Sequence, residues 1–174
     1  MNQTVQEFIS KNPDLNRFAD RNELIKYDYG SQNYIYSKLD DNEKKLLWQS
    51  KINFVLDNVT LNTRLKLVLN QIQEELSANG LKNTEKLTSI ALTAGFSDYQ
   101  NKLYFQSLSS FDPKTSTMLP YNKLLLDSGS GTCYTKWCTP CDIQFNPCVG
   151  GCVQTTTGCG WWNNEACTNK CLKD

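Results

Sequence analysis

Residues 40–59 read DDNEKKLLWQSKINFVLDNV, and this stretch decides the class of fold. Asp40 with Glu43 three residues on is an Asp-x-x-Glu variant of the capping box, in which the Asp40 carboxylate accepts from a free backbone N–H of the first turn. Behind it Trp48, Ile52, Val55 and Val59 recur at spacings of four, three and four, with Leu56 alongside. That recurrence puts them on one face of an α-helix.

The same reading extends outward in both directions. A second helix is predicted from about Asn62 to Ser77, with Leu65, Val68, Leu69, Ile72 and Leu76 on one side. Asn79-Gly80 stops it, because Gly80 is free to turn left-handed. A third is predicted from Thr84, carrying Leu87, Ile90, Ala91 and Ala94, and Gly95 ends it. A fourth starts at Ser97 and turns Leu103, Phe105 and Leu108 inward, with Pro113 and Pro120 ending regular structure. Toward the N-terminus, the pairs Phe8–Ile9, Leu15–Phe18 and Leu24–Ile25 predict short helical turns around Pro13. Tyr27, Tyr29, Tyr34 and Tyr36 are expected to lay their rings over the core and keep their hydroxyls in water. No stretch of this part alternates apolar and polar residues over strand length. Residues 1–127 therefore read as an all-α helical bundle of about four to six helices.

The last 42 of the 174 residues follow a different rule. Cys133, Cys138, Cys141, Cys148, Cys152, Cys159, Cys167 and Cys171 all lie there, and the first 132 residues have no cysteine. A segment this short cannot bury a large core and needs covalent or metal staples. The change falls at Asp127-Ser128-Gly129-Ser130-Gly131-Thr132. A Gly/Ser stretch here reads as a flexible linker over 128–132, followed by a small, disulfide-rich, mostly irregular module over 133–174. Four disulfides suit the even cysteine count and the interleaved Gly150, Gly151, Gly158, Gly160, Pro140 and Pro147, but eight cysteines allow 105 pairings and spacing does not choose among them. Two other chemistries compete. Cys138-x2-Cys141 with Cys148-x3-Cys152 could hold one zinc ion as thiolates, a loose match that leaves four cysteines over. Trp137-Cys138-Thr139-Pro140-Cys141 has the form of a thioredoxin-type redox motif, but only 33 residues follow it, too few for the strands and helix such a fold requires.

Composition excludes much else. Eighteen basic residues balance eighteen acidic ones, so there is no electrostatic case for nucleic acid. The chain has no histidine, which removes His-based nucleophile schemes and His-ligated metals. Glycine-rich phosphate loops and Ser-Lys hydrolase patterns are missing. The adjacent Glu74 and Glu75 point to different sides of a helix and read as solvated. No enzyme activity and no cofactor are expected. No apolar run is long enough to span a membrane. Tyr134, Trp137, Phe145, Trp161 and Trp162 crowd the tail, more rings than forty residues can cover. Two readings stay open for them: contact with a membrane, envelope component or partner, or packing over the disulfides as the only core available. Disulfides require an oxidising compartment, so secretion or a periplasmic location is expected. The first eight residues show no basic and no apolar signal region, so the expectation is a signal trimmed from this sequence, with Met1 supplied as a start.

The pattern C-x2-T-x-T-G-C-G falls on Cys152, Thr155, Thr157, Gly158, Cys159 and Gly160, with a Trp close behind at 161 or 162. In the front part Leu39, Lys44, Leu47, Trp48 and Lys51 follow a helix-opening pattern, L-x-x-E-x-K-x-x-L-W-x-x-K, with Glu43 one position late and Leu61-Asn62 after it. In these stretches, about a quarter of the chain, the sequence resembles the bacteriocin fulvocin C-related family. The spacings Cys133-x4-Cys138-x2-Cys141 and Cys167-x3-Cys171 depart from that family's peptide. The resemblance implies a secreted bacterial protein with a cysteine-rich end that is an antimicrobial peptide, and a helical part that is its pro-region or carrier. The tail's aromatics would then meet a competitor's envelope. The competing class is a secreted binding or structural module whose tail stays attached.

Overall fold

The computed structural model describes residues 14–27, 29–117 and 155–167. The expected turns before Pro13, Pro120, the linker at 128–132, six of the eight cysteines, and Tyr134, Trp137 and Phe145 lie outside these residues. Among the described residues the protein is mostly helical. A short 3-10 turn over Asn16–Ala19 leads to α1 (Arg21–Leu24), α2 (Tyr29–Lys38), α3 (Asp41–Asn58), α4 (Thr63–Asn79), α5 (Thr84–Thr93) and α6 (Asp98–Phe105). From the tail come β1 (Thr155–Cys159) and β2 (Glu165–Cys167), joined through a turn at Trp161–Asn164.

The helix ends follow local chemistry. Asp40 accepts from the Glu43 N–H at 2.8 Å, and the Glu43 carboxylate accepts from the Asp40 N–H at 2.8 Å, so both arms of the capping box form. Ser97 and Gln100 build a second box on α6. Asn62 and Asn83 accept from the third residue of α4 and α5. Gly80 leaves α4 at φ 60°, and Gly95 follows α5 at φ 87°, both in the region a side chain disfavours.

The predicted stripes form one core. Trp48, Ile52 and Val55 of α3, Leu69, Ile72 and Leu76 of α4, and Leu87 and Ala91 of α5 have no solvent exposure. Val59, Leu56, Leu65, Val68 and Ile90 pack against them, partly buried. Helices α3 and α4 lie side by side, with α5 against α4. Phe18 and Leu24 close one end, and Leu103, Phe105 and Leu108 reach inward as expected.

The sequence reading saw α2 only as a tyrosine cluster. Gln32, Ile35, Tyr36 and Leu39 stand at i, i+3, i+4 and i+7, and all four are buried. The stripe is complete, but its first member is polar and Gly30-Ser31 precede it. Tyr36 also corrects the expectation of wet hydroxyls: it has no exposure at all, and its phenol donates inward.

The described tail is not wholly irregular. β1 and β2 pair antiparallel, Thr155 opposite Cys167 and Cys159 opposite Glu165, with an irregularity between. Two more residues separate the β1 partners than the β2 partners, which is a bulge on β1. β1 lies along α2.

Candidate functional site

The site is the pocket in which the helices hold the tail. Trp162 is wholly buried and belongs to the same core cluster as the helices. Trp48 of α3 meets its ring edge-on, at 5.3 Å between centroids and 70° between planes. Phe105 of α6 packs on it at 5.3 Å, and also stacks on Trp161 at 5.9 Å with 12° between planes. Such aromatic pairs add about 0.5–1.5 kcal/mol each beyond the area they bury.

Polar groups fix the position of the ring. The Trp162 indole N–H donates to Thr88 Oγ1 at 3.0 Å. Its backbone carbonyl accepts from the Tyr36 hydroxyl at 2.8 Å and from Trp48 Nε1 at 2.8 Å. Trp48 Nε1 also lies 3.1 Å from the Tyr36 oxygen, so its single N–H is shared between the two acceptors. Burial pushes the Tyr36 phenol well up from its ordinary value, and it stays a donor throughout the physiological range. On α5, Thr84 stands one turn before Thr88 and accepts from Asn164 Nδ2 at 3.5 Å. One face of α5 therefore meets the turn at Trp162 and at Asn164.

The turn has an unusual backbone. Trp162 (φ 59°, ψ 19°) and Asn163 (φ 50°) are both left-handed, and Asn164 N–H donates back to the Trp161 carbonyl at 3.0 Å. This is a mirror-image turn of the kind that joins hairpin strands. Asn suits it. A tryptophan does not, since a left-handed bulky residue costs on the order of 1–3 kcal/mol. Burial of the indole offsets that cost. The Glu165 carboxylate adds a clip, accepting from the Trp161 N–H at 3.2 Å. Gly160, at φ 67°, leaves room for it: a Cβ there would stand 2.2 Å from the Glu165 carboxyl carbon.

A second set of buried polar groups lies further along the same buried face of α3. The segment 107–111 runs through the core without regular structure, and its carbonyls need donors. Lys51 Nζ donates to the Ser109 carbonyl at 2.6 Å and lies 4.8 Å from the Phe111 ring centre. Arg21 Nε donates to the Leu108 carbonyl at 2.6 Å, and its Nη2 to Ser110 Oγ at 3.1 Å. Neither cation forms an ion pair among the described residues. Burial first, and then the charge on Arg21, hold the Lys51 amine well below the ordinary lysine value. Burial alone brings Arg21 down to about 10.

Of the residues proposed for membrane or partner contact, the structure describes Trp161 and Trp162. Trp162 faces the chain's own helices, and Trp161, half-buried, stacks on Phe105. Of the cysteines, Cys159 stands in β1 and Cys167 in β2. Glu75 is half-buried and pairs with the exposed Lys86 at 2.5 Å; the bonds from Lys86 and Asn79 hold its carboxyl below its ordinary value. Among the described residues no group of three His, Cys, Asp or Glu side chains is placed to hold a metal. No described helix is long and apolar enough to cross a membrane. The pocket offers hydrogen bonds and ring contacts, which is binding chemistry. Thr84, Thr88, Tyr36 and Lys51 were not singled out as site residues in the sequence. Lys51 alone had a legible hint, since it stands three after Trp48 and four before Val55 on the buried stripe.

Comparison of the chain with family models, with curated proteins and with solved structures finds no match.

Proposed function

We propose that this is an exported, non-enzymatic, bacteriocin-like protein of the fulvocin C-related kind. Its helical part is the carrier of a four-disulfide tail. One observation supports the carrier role above others: the helices enclose Trp162 of the tail with two aromatic rings, three hydrogen bonds to its indole and carbonyl, and no solvent exposure. An aromatic held this way is withheld from any lipid or envelope surface while the tail is attached. Separation of the tail from the helices would expose it, and an exposed Trp pair suits a membrane interface.

The test begins with the mass of the protein secreted by its native host, alkylated under denaturing conditions before and after reduction. Alkylation of eight thiols only after reduction is expected. A short species beginning near Cys133, active against competitor cells when the full chain is not, would support the carrier reading. The depth of the Trp162 contact favours a second reading, in which the tail stays docked for life as part of a binding or structural module. Full-length secreted protein and a tail without killing activity would favour that one. A wild-type protein inert toward disulfide substrates removes the remaining redox reading.

A further inference from the structure

The pocket around Trp162 has a consequence for the chain once it is cut. All eight cysteines lie after residue 132, so no disulfide can join residues 1–132 to the tail. Whatever holds the two parts together after scission between them is non-covalent. The contacts present are those of a protein–peptide interface with a buried anchor. A single indole fills the pocket, its N–H and carbonyl are both satisfied by the helices, and buried Tyr36, Trp48 and Phe105 enclose it with half-buried Thr88 and Trp161 at the edge. Anchors of this type, a buried Trp ringed by contacts that exclude water, dominate the affinity of interfaces. The left-handed turn is set by contacts within the hairpin as well: the Asn164–Trp161 bond and the Glu165 clip on the Trp161 N–H do not involve the helices. These two bonds lower part of the ordering cost of binding, and the helices that enclose the indole supply the rest.

From this we infer that the helical part binds the tail as a separate chain: a cut in the 118–132 segment, before the first cysteine, yields a non-covalent complex of two pieces, held at Trp162, and release of the tail requires a second event. The inference rests on the carrier reading for its biological sense but is tested apart from it. Whether the released tail kills cells does not enter the measurement, and a complex can persist with a tail that kills nothing.

The experiment uses the full oxidised chain with a protease recognition sequence inserted between Gly129 and Ser130. The protein is cut to completion and examined by size-exclusion chromatography and native mass spectrometry at micromolar concentration. The expected result is one peak containing both pieces. In Trp162→Ala, cut in the same way, retention should fall by more than about a hundredfold, in line with the loss of a buried Trp. Thr88→Val, a milder change that keeps the core volume, should weaken the complex by about two- to tenfold through loss of one hydrogen bond. Wild-type pieces that separate on cutting would overturn the inference. Co-elution that neither variant weakens would overturn Trp162 as the anchor. If Trp162→Ala does not fold, Thr88→Val alone decides that point.

Discussion

Helix α3 and the turn Trp161–Asn164 each send a tryptophan into the same contact, and they hold it in opposite ways. Trp48 sits on a regular stripe, within a helix capped at Asp40 and closed by its own backbone hydrogen bonds. The capping box and the stripe that shape α3 are both set by residues within its own sequence. Trp162 sits in a left-handed conformation that its side chain disfavours, in a turn between strands of five and three residues. A two-stranded hairpin of this size is marginal alone in water. The lesson is that one partner of this contact is placed by local preference and the other by what it touches. The helices are the mould and the turn is the cast.

The largest expected effect comes from removing the cast. Trp162→Ala should lower unfolding stability by about 3–5 kcal/mol, as for other buried tryptophans. Helical circular dichroism should persist while the urea midpoint falls. An unchanged midpoint would mean the turn contributes nothing and would break the comparison. Trp161→Ala, which loses a half-exposed stacked ring, should cost nearer 1 kcal/mol.

Lys51 sharpens the comparison on the helix side, because α3 also carries one residue that only its surroundings explain. The unfolded chain keeps the Lys51 proton up to the ordinary lysine value near 10.4, whereas the folded chain releases it at lower pH. Between those two values the unfolded state holds more protons, so stability rises with pH, by up to about 1.4 kcal/mol per unit. Below the folded value this slope vanishes. Lys51→Met should flatten the rise, measured as urea midpoints from pH 6 to 10. A slope that survives in Lys51→Met would assign it to another group.

Gly160→Ala tests the turn from within. The new Cβ meets the Glu165 carboxylate and occupies a positive φ, so a loss of about 1–2 kcal/mol is expected. Asp40→Ala tests the helix from within: loss of the cap should cost about 1 kcal/mol, with no effect on binding of the tail. Lys86→Ala, which breaks the pair between exposed Lys86 and half-buried Glu75, should lower stability by about 1 kcal/mol or less.

Much of the helical part was legible because its cues are local. The boxes at Asp40 and Ser97, the side-chain caps at Asn62, and the stops at Gly80 and Gly95 each act within four residues. The stripes on α3, α4 and α5 repeat often enough to outweigh single exceptions. Helix α2 was harder to see because its inward face includes Gln32, whose amide donates to the Tyr27 carbonyl at 2.6 Å and whose oxygen accepts from Ser109 across the core. A polar residue that finds both partners inside breaks the pattern that periodicity relies on. The tail pocket was not legible at all. Trp162 and Thr88 are 74 residues apart, and Trp162 and Tyr36 are 126 apart. Nothing in the local sequence of Thr88 distinguishes it from any exposed threonine on a helix.

By itself, the sequence determined that the front part is a helical bundle, where four of its helices begin, and that every cysteine lies in the final 42 residues. These are properties of neighbours along the chain, set by capping, turn geometry and repeat. The tertiary structure alone decided that Arg21 and Lys51 donate to the buried 107–111 segment, that Tyr36 points inward, and that a tryptophan of the cysteine-rich tail completes the core of the helices. Each of these depends on desolvation and on partners brought together from distant positions. Burial turns Lys51 from a surface charge into a backbone donor, and makes a disfavoured turn at Trp162 the one that persists.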